Sequence, residues 1–262
     1  MQTVRVSYPT DWPYANVYPF ADWHIGDKHS LGGSIGKIIE TVQNDPYGLV
    51  VLDGDLMNTA VRNSVSDIYS EVMSPMEQAK VLVDLLQPIK KKIIGATAGN
   101  HEKRIYKNDG MDMMRMVCRE IGVEERYNPD GILIFLHFGT KSSAGKHGNK
   151  YPTQTYSIYA THGSGGGRKE GAKAIRLADM ASIVDCDCYI HAHTHLPMSL
   201  KELYYRCNYG NSSVTPVERL FVNASAMLGY GGYGQAQEYK PNSNAVPLIK
   251  LDAKERNMTV TI

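Results

Sequence analysis

Five short clusters in this sequence carry side chains that bind cations: Asp22-Trp-His24, Gly54-Asp55-Leu-Met-Asn58, Gly99-Asn100-His101-Glu102, Thr161-His162-Gly163 and His193-Thr-His195. Imidazole is the commonest metal-ligating side chain. A mixed nitrogen and oxygen donor set suits manganese, iron, zinc or nickel better than calcium or magnesium. Taken singly, each cluster has a plainer reading, because Gly, Asn and Asp also favour turns. The stretch His191-Ala-His193-Thr-His195 holds three of the chain's nine histidines. It reads as three ligands, as a pair with a bystander, or as a strand end with no role.

The elements that must position these residues alternate in type. Apolar runs at 47–55, 91–102, 130–139, 151–163 and 187–195 read as strands, and 216–223, 246–251 and 257–262 as further strand candidates. The spacing of Met76, Val81, Leu82, Leu85 and Leu86 predicts a helix over 74–89, with Ser74 as N-cap, Pro75 in the first turn and Pro88 as the stop. Helices are also expected over 111–122, ended by Gly122, and over 170–184. Such alternation implies α/β layers in one domain spanning 1–262. Asp22, Asp55, Asn100, His162 and His193 each follow an apolar run. Strand ends are where loops hold functional side chains on a rigid frame.

Composition excludes little and points to no special partner. The chain is 42% hydrophobic and 21% charged, with a formal net charge of +1. Nothing global attracts nucleic acid or an anionic membrane. No apolar run approaches a bilayer span and the N-terminus has no signal-peptide core, so the expected location is cytoplasmic with no membrane partner. Among the four cysteines, Cys186 and Cys188 form a C-x-C that lacks a second pair at zinc spacing, and they read as small buried thiols. Neither Gly32–Ile38 nor the glycines of 163–171 keep phosphate-loop register.

The order D-x-H, G-D-x-x-N, G-N-H-E, H, H-x-H, from Asp22 to His195, resembles the calcineurin-like metallophosphoesterase superfamily. Residues 161–197 are most similar to phosphoesterases encoded by bacteriophages and prophages. The resemblance implies a four-layer sandwich of two mixed β-sheets flanked by helices, with two divalent ions at its edge, manganese first and iron, zinc or nickel as alternatives. It implies one ion held by Asp22, His24 and His195, the other by Asn100, His162 and His193, with Asp55 bridging. The implied reaction is in-line attack on phosphorus by a bridging hydroxide, with His101 protonating the leaving oxygen or steadying charge on the phosphoryl group. Two divalent ions less two carboxylates and a hydroxide leave the site positive, which attracts a phosphoester. Along an extended strand alternate residues lie under about 7 Å apart on one face. His193 and His195 would then each serve one ion, with His191 a packed bystander.

Two departures from the pattern matter. Many family phosphatases carry Asp-Arg where this chain has Asn58-Thr59. Asn58 keeps a side-chain acceptor for the catalytic histidine, whereas Thr59 cannot grip phosphate, so Arg104 is a candidate clamp and Arg62 a weaker one. The glycine usual before H-x-H is Ala192. Arg168, Lys169 and Lys173, with Lys141, Lys146, His147 and Lys150, could form a basic rim suited to DNA or RNA; a solvated face is the plainer reading. The tyrosine- and glycine-rich segment 229–239 could stack a base or pack as a cluster. The expected function is a phosphodiesterase or nuclease. A phosphomonoesterase and a non-catalytic metal-binding scaffold are the alternatives, and the oligomeric state is left open.

Overall fold

The computed structural model of the chain describes residues 1–62, 64, 68–139, 154–165 and 167–262. In chain order the elements are β1 (Gln2–Tyr8), β2 (Tyr14–Phe20), α1 (Gly32–Asn44), β3 (Gly48–Asp53), α2 (Pro75–Leu86), β4 (Ile93–Thr97), α3 (Asn100–Asp109), α4 (Met113–Glu120), β5 (Ile132–Phe138), β6 (Gln154–Thr161), α5 (Glu170–Ala178), β7 (Cys188–His191), β8 (Met198–Asn208), β9 (Ser213–Asn223), α6 (Gly232–Ala236), β10 (Leu248–Asp252) and β11 (Met258–Thr261). The strands form a six-stranded sheet, β1-β5-β6-β7-β9-β8, and a five-stranded sheet, β11-β10-β2-β3-β4. Both are mixed. β2, β3 and β4 run parallel in the smaller sheet, and β6, β7 and β9 in the larger.

Three apolar layers hold this arrangement. Val17, Val51, Ile94, Ile134, Ile158, Ile190, Val222 and Ile249 fill the space between the sheets. Ile35, Ile39, Leu82, Leu86, Ile105 and Val117 cover the outer face of the smaller sheet, where Phe20, Val50 and Leu52 point. Leu177 and Met180 cover Tyr159, Tyr189 and Phe221 on the larger sheet. The result is the expected α-β-β-α sandwich.

Local chemistry explains the element ends. Ser74 and Glu77 form the capping box of α2 around Pro75, and beyond Leu86 a tight 3₁₀ turn carries Pro88. Gly122 ends the α4 region with a φ of +78°. Lys92 donates to the carbonyls of Val42, Gln43 and Asp45 at the end of α1, so its charge belongs to a helix cap.

Two expectations need correcting. The run 91–102 does not pass into a loop: α3 begins at Asn100, capped by the Glu102 carboxylate on the Gly99 N–H. The strand expected over 187–195 stops at His191, because the backbone turns left-handed at His193 and His195. β1, α1 and β8 were not anticipated at all. α1 starts on two glycines behind Leu31 with no side-chain cap, and β8 is largely exposed, so neither carries the usual signal. The lysines and His147 of 140–150 lie outside the described residues. The flanking strand ends, Phe138 and Gln154, are paired at the opposite end of β6 from His162.

Candidate metal centre

All five clusters meet at one edge of the sandwich. Asp22, Asp55 and Asn100 follow the carboxyl ends of β2, β3 and β4, while His162 and the 193–195 turn follow β6 and β7. The loops after β2 and β3 continue the parallel pairing, with Asp22 N donating to Gly54 O (3.1 Å) and His24 N to Asp55 O (3.1 Å).

Close backbone approach seats Asp55. A side chain at Gly99 would place its Cβ 2.0 Å from Asp55 Oδ1, and one at Gly54 would meet the Gly99 nitrogen at 2.4 Å. The two glycines of G-D and G-N-H-E are therefore both required. Glu102 ties the loops together, accepting from Asp55 N (3.0 Å), Met57 N (3.0 Å) and Gly99 N (2.9 Å).

Two donor clusters result. In one, Asp22, His24 and His195 present ligand atoms within 4.8 Å of one another; in the other, Asp55, His162 and His193 do. Asp55, His24 and His101 form a third set of the same span. His24 Nε2 and His195 Nε2 stand 3.2 Å apart, with Asp22 Oδ1 3.3 Å from the latter. His162 Nδ1 donates to Asp53 O (2.6 Å), which aims Nε2 at Asp55 Oδ2 (3.1 Å). Among the described residues, Asp22 Oδ1 and His162 Nε2 are nonetheless buried with no hydrogen-bond partner. Buried polar atoms are rarely left so. Convergent ring nitrogens and carboxylate oxygens, some of them orphaned, fit a divalent cation.

Protonation follows from the same crowding. Burial, reinforced by His101 and His195, holds His24 well below the usual imidazole range. Burial and His162 push His193 down to about 4. Both rings are then neutral, the ligating form. Burial opposes ionisation of Asp55, but His162, His101 and His24 hold it well below the usual carboxylate range. Burial also opposes a charge on His162, yet Asp55, Asp22 and Asp53 raise it to about 10 in the metal-free site.

The remaining expected residues fall as follows. Asn100 is exposed at the start of α3 and lines the cavity above the clusters. Asn58 does not orient His101 through its side chain. Its Oδ1 faces His24 Nδ1 (3.3 Å) and its amide donates to Glu71, while its backbone carbonyl accepts from His101 Nδ1 (2.9 Å). Glu71 and Gln78 hold that amide away from His101. Thr59 Oγ1 is taken up by His101 O (2.5 Å). Ala192 packs fully buried against Ala21 and Ala224. Arg104 and Arg168 line the same cavity of about 570 Å³, as do Lys173, Tyr230, Tyr239 and Lys240. Lys173 also donates to Thr194 O (2.9 Å), and Arg168 lies 5.6 Å from the Tyr239 ring centre. Arg62 is not among the cavity's lining residues.

His191 stands as expected, packed and outside the clusters, but sequence reading missed Asn223, the residue that holds it and the histidine turn. His191, the last residue of β7, is in neither cation cluster; its Nδ1 bonds Asn223 Oδ1 (2.9 Å). The Asn223 amide donates to Thr194 Oγ1 (2.9 Å), Leu196 O (2.7 Å) and Ala224 O (3.1 Å), which fixes the H-x-H turn. Only the polar end of the apolar run 216–223 hints at Asn223. His191 lies under Gly163, whose φ is +84° and where a Cβ would stand 2.0 Å from His191 Nε2.

A family model for calcineurin-like phosphoesterases matches residues 20–197, over half of the chain. No curated protein matches the chain significantly. Among solved structures, a conserved uncharacterized protein from Streptococcus pneumoniae TIGR4, titled a predicted phosphoesterase, is 12% identical over 91% of this chain and 84% of that one, with a TM-score of 0.37. Vps29 from Entamoeba histolytica, as a double mutant, is 13% identical over 94% of this chain and 89% of that one, with a TM-score of 0.43.

Proposed function

This chain belongs to the calcineurin-like phosphoesterase family, and from that premise we propose that it is a two-metal hydrolase of phosphodiesters in a nucleotide or nucleic acid. The observation that carries the reading is the pair of donor clusters opening on one cavity whose walls supply Arg104, Arg168, Lys173 and Lys240. Asp22, His24 and His195 would hold one cation, and Asn100, His162 and His193 the other, with Asp55 shared. When bound, the ions, manganese first, would polarise a phosphoryl oxygen and lower the pKa of a water.

The chain's own residues do the rest. His101 donates Nδ1–H to Asn58 O, so its Nε2 faces the cavity, 3.7 Å from Asp55 Oδ2. A proton carried there can pass to a leaving oxygen. Burial lowers the His101 pKa and Arg104 lowers it further, against Asp55, so a proton on Nε2 is readily given up. Arg104 and Arg168 neutralise the phosphoryl charge. A diester is favoured because positions 58 and 59 supply no Asp-Arg grip for a dianionic monoester. A cavity of about 570 Å³ with Tyr230 and the Arg168–Tyr239 pair in its wall suits a nucleoside.

The test compares bis-nitrophenyl phosphate with mono-nitrophenyl phosphate in manganese. The diester should turn over faster, and His101→Ala should lose at least about a hundredfold in kcat. A clear preference for the monoester refutes the diesterase. A protein that binds cations but cleaves no member of a phosphoester panel is a scaffold.

A further inference from the structure

The β8–β9 hairpin is longer than the sheet it belongs to. β8 and β9 pair through eleven residues without a register break, from Met198↔Asn223 to Asn208↔Ser213. β7 supports β9 only over Leu220–Asn223. Residues beyond Glu218 on one strand and Leu203 on the other therefore form a two-stranded arm, and such ribbons are marginal alone in water. The pairs Leu203↔Glu218, Tyr205↔Pro216 and Cys207↔Val214 place Leu203, Tyr205, Cys207, Val214 and Pro216 on one face. That face is open: Leu203 is 56% exposed, Tyr205 70% and Val214 58%.

Among the described residues, β8 is the edge strand of its sheet, with β9 its only partner. Its outer side is a row of free N–H and C=O groups. Natural edges are blunted by proline, bulges, short length or charge; β8 has no proline, no bulge and eleven residues, and its charges, Lys201, Glu202 and Arg206, are of both signs.

We propose that β8 is a self-association surface whose partner is a second copy of this chain. The two β8 strands pair antiparallel about a twofold axis at Tyr204, joining two six-stranded sheets into one. The sequence of β8 selects that axis. Centred on Tyr204, Glu202 faces Arg206 of the second copy, and symmetry repeats the pair. Leu203 faces the second copy's Tyr205 and covers the apolar stripe. Centred on Glu202 or on Arg206, like charges oppose each other. Centred on Leu203 or on Tyr205, neither charge meets the opposite charge across the seam, and Arg206 keeps only Asp185 of its own chain (2.8 Å). Opposite charges and apolar groups directly across a ladder stabilise it, and like charges oppose it. A twofold interface must match itself in this way.

The pairing uses no residue of the metal centre, so it stands or falls apart from the phosphoesterase reading. The test is mass by light scattering and sedimentation on the full chain. The wild type should run at twice the 29.1 kDa of one chain. Arg206→Glu sets two pairs of glutamates face to face and should raise the dimer dissociation constant about tenfold or more, with unchanged circular dichroism. In a Cys207→Ser background, Tyr204→Cys should form an intermolecular disulfide on mild oxidation, because facing Cα atoms lie about 4.5–5.5 Å apart. Lys201→Cys should not. A monomeric wild type, a dimer that Arg206→Glu leaves intact, or a cross-link at 201 in place of 204 overturns the proposal.

Discussion

Asn223 offers the sharpest test of how the centre is held. It is 2% exposed and serves four partners: His191 Nδ1, Thr194 Oγ1, Leu196 O and Ala224 O. Asn223→Ala removes them all and leaves His191 Nδ1 and at least one carbonyl buried without a partner. Each such orphan costs about 1–3 kcal/mol, so the loss is about 3–5 kcal/mol in all. In a domain of this size that lowers Tm by about 10 °C or more. The effect should reach the cation too. His193 and His195 sit at φ +64° and +56°, where a non-glycine residue costs about 1–2 kcal/mol. Without the amide on Thr194 and Leu196, the turn relaxes and manganese affinity should fall about 10–100-fold. Calorimetric titration and thermal melts with and without chelator measure both. Ser225→Ala, which removes an equally buried but unpartnered hydroxyl, should leave both unchanged. If Asn223→Ala lowers Tm but leaves manganese affinity intact, the clamp argument is wrong.

Five further outcomes are expected. Gly99→Ala should cost at least about a hundredfold in activity, since its Cβ would fall 2.0 Å from Asp55 Oδ1 and a misplacement of about 1 Å costs that much; Gly36→Ala in α1, where nothing lies within 4 Å, should stabilise by about 0.5–1 kcal/mol in denaturant melts. Burial raises Asp53 and Glu102 to about 7, so between the ordinary carboxylate range and 7 the folded protein keeps protons that the unfolded chain releases. The stability these two groups contribute in the metal-free protein is therefore lost as pH rises through about 7, against the opposite contribution of the lowered His24 and His193, and Asp53→Asn should remove its share of that fall in melts across pH. Arg168→Ala should raise KM more than it lowers kcat in steady-state kinetics, by about tenfold, if it binds rather than reacts. Chelation should lower Tm, since saturation at about a hundred times Kd is worth about 2.7 kcal/mol per site; an unchanged Tm speaks against a resident cation.

The sequence made the clusters legible because ligand chemistry is carried by residue type and order. The apolar runs before Asp22, Asp55, Asn100, His162 and His193 were equally plain, and five parallel strand ends do converge there. Residues that act through tertiary contact were not legible. Asn223 lies 32 residues from His191, and Glu102 lies 47 from the Asp55 N–H it accepts, so no local pattern marks either. The H-x-H spacing suggested two residues on one face of a strand. The true cause of their divergence is a left-handed turn that begins where β7 ends. Asn58 stands where an orienting carboxylate is expected, but Glu71, itself held by the Gln78 amide, accepts from the Asn58 amide, and the Asn58 backbone carbonyl takes over the histidine.

The left-handed residues reveal how the centre is built. Asp22, His24, Asp55, His193 and His195 all have φ between +47° and +64°. Five non-glycine residues in that region together cost several kcal/mol, and the compensation is distributed: Met227 N and the His193 N–H on Asp22, Glu102 on Asp55 N, Asn223 on the histidine turn. All of these interactions are made by the chain's own groups. The two clusters that include His195 and His193 also draw on both sheets. Asp22 and His24 come from the smaller sheet and His195 from the larger; Asp55 comes from the smaller and His162 and His193 from the larger. A cation in either cluster thus bridges the two layers at the edge where their shared apolar core ends. Ligand geometry and sheet packing meet at one seam, where His162 reaches Asp53 O at 2.6 Å and Asp55 Oδ2 at 3.1 Å.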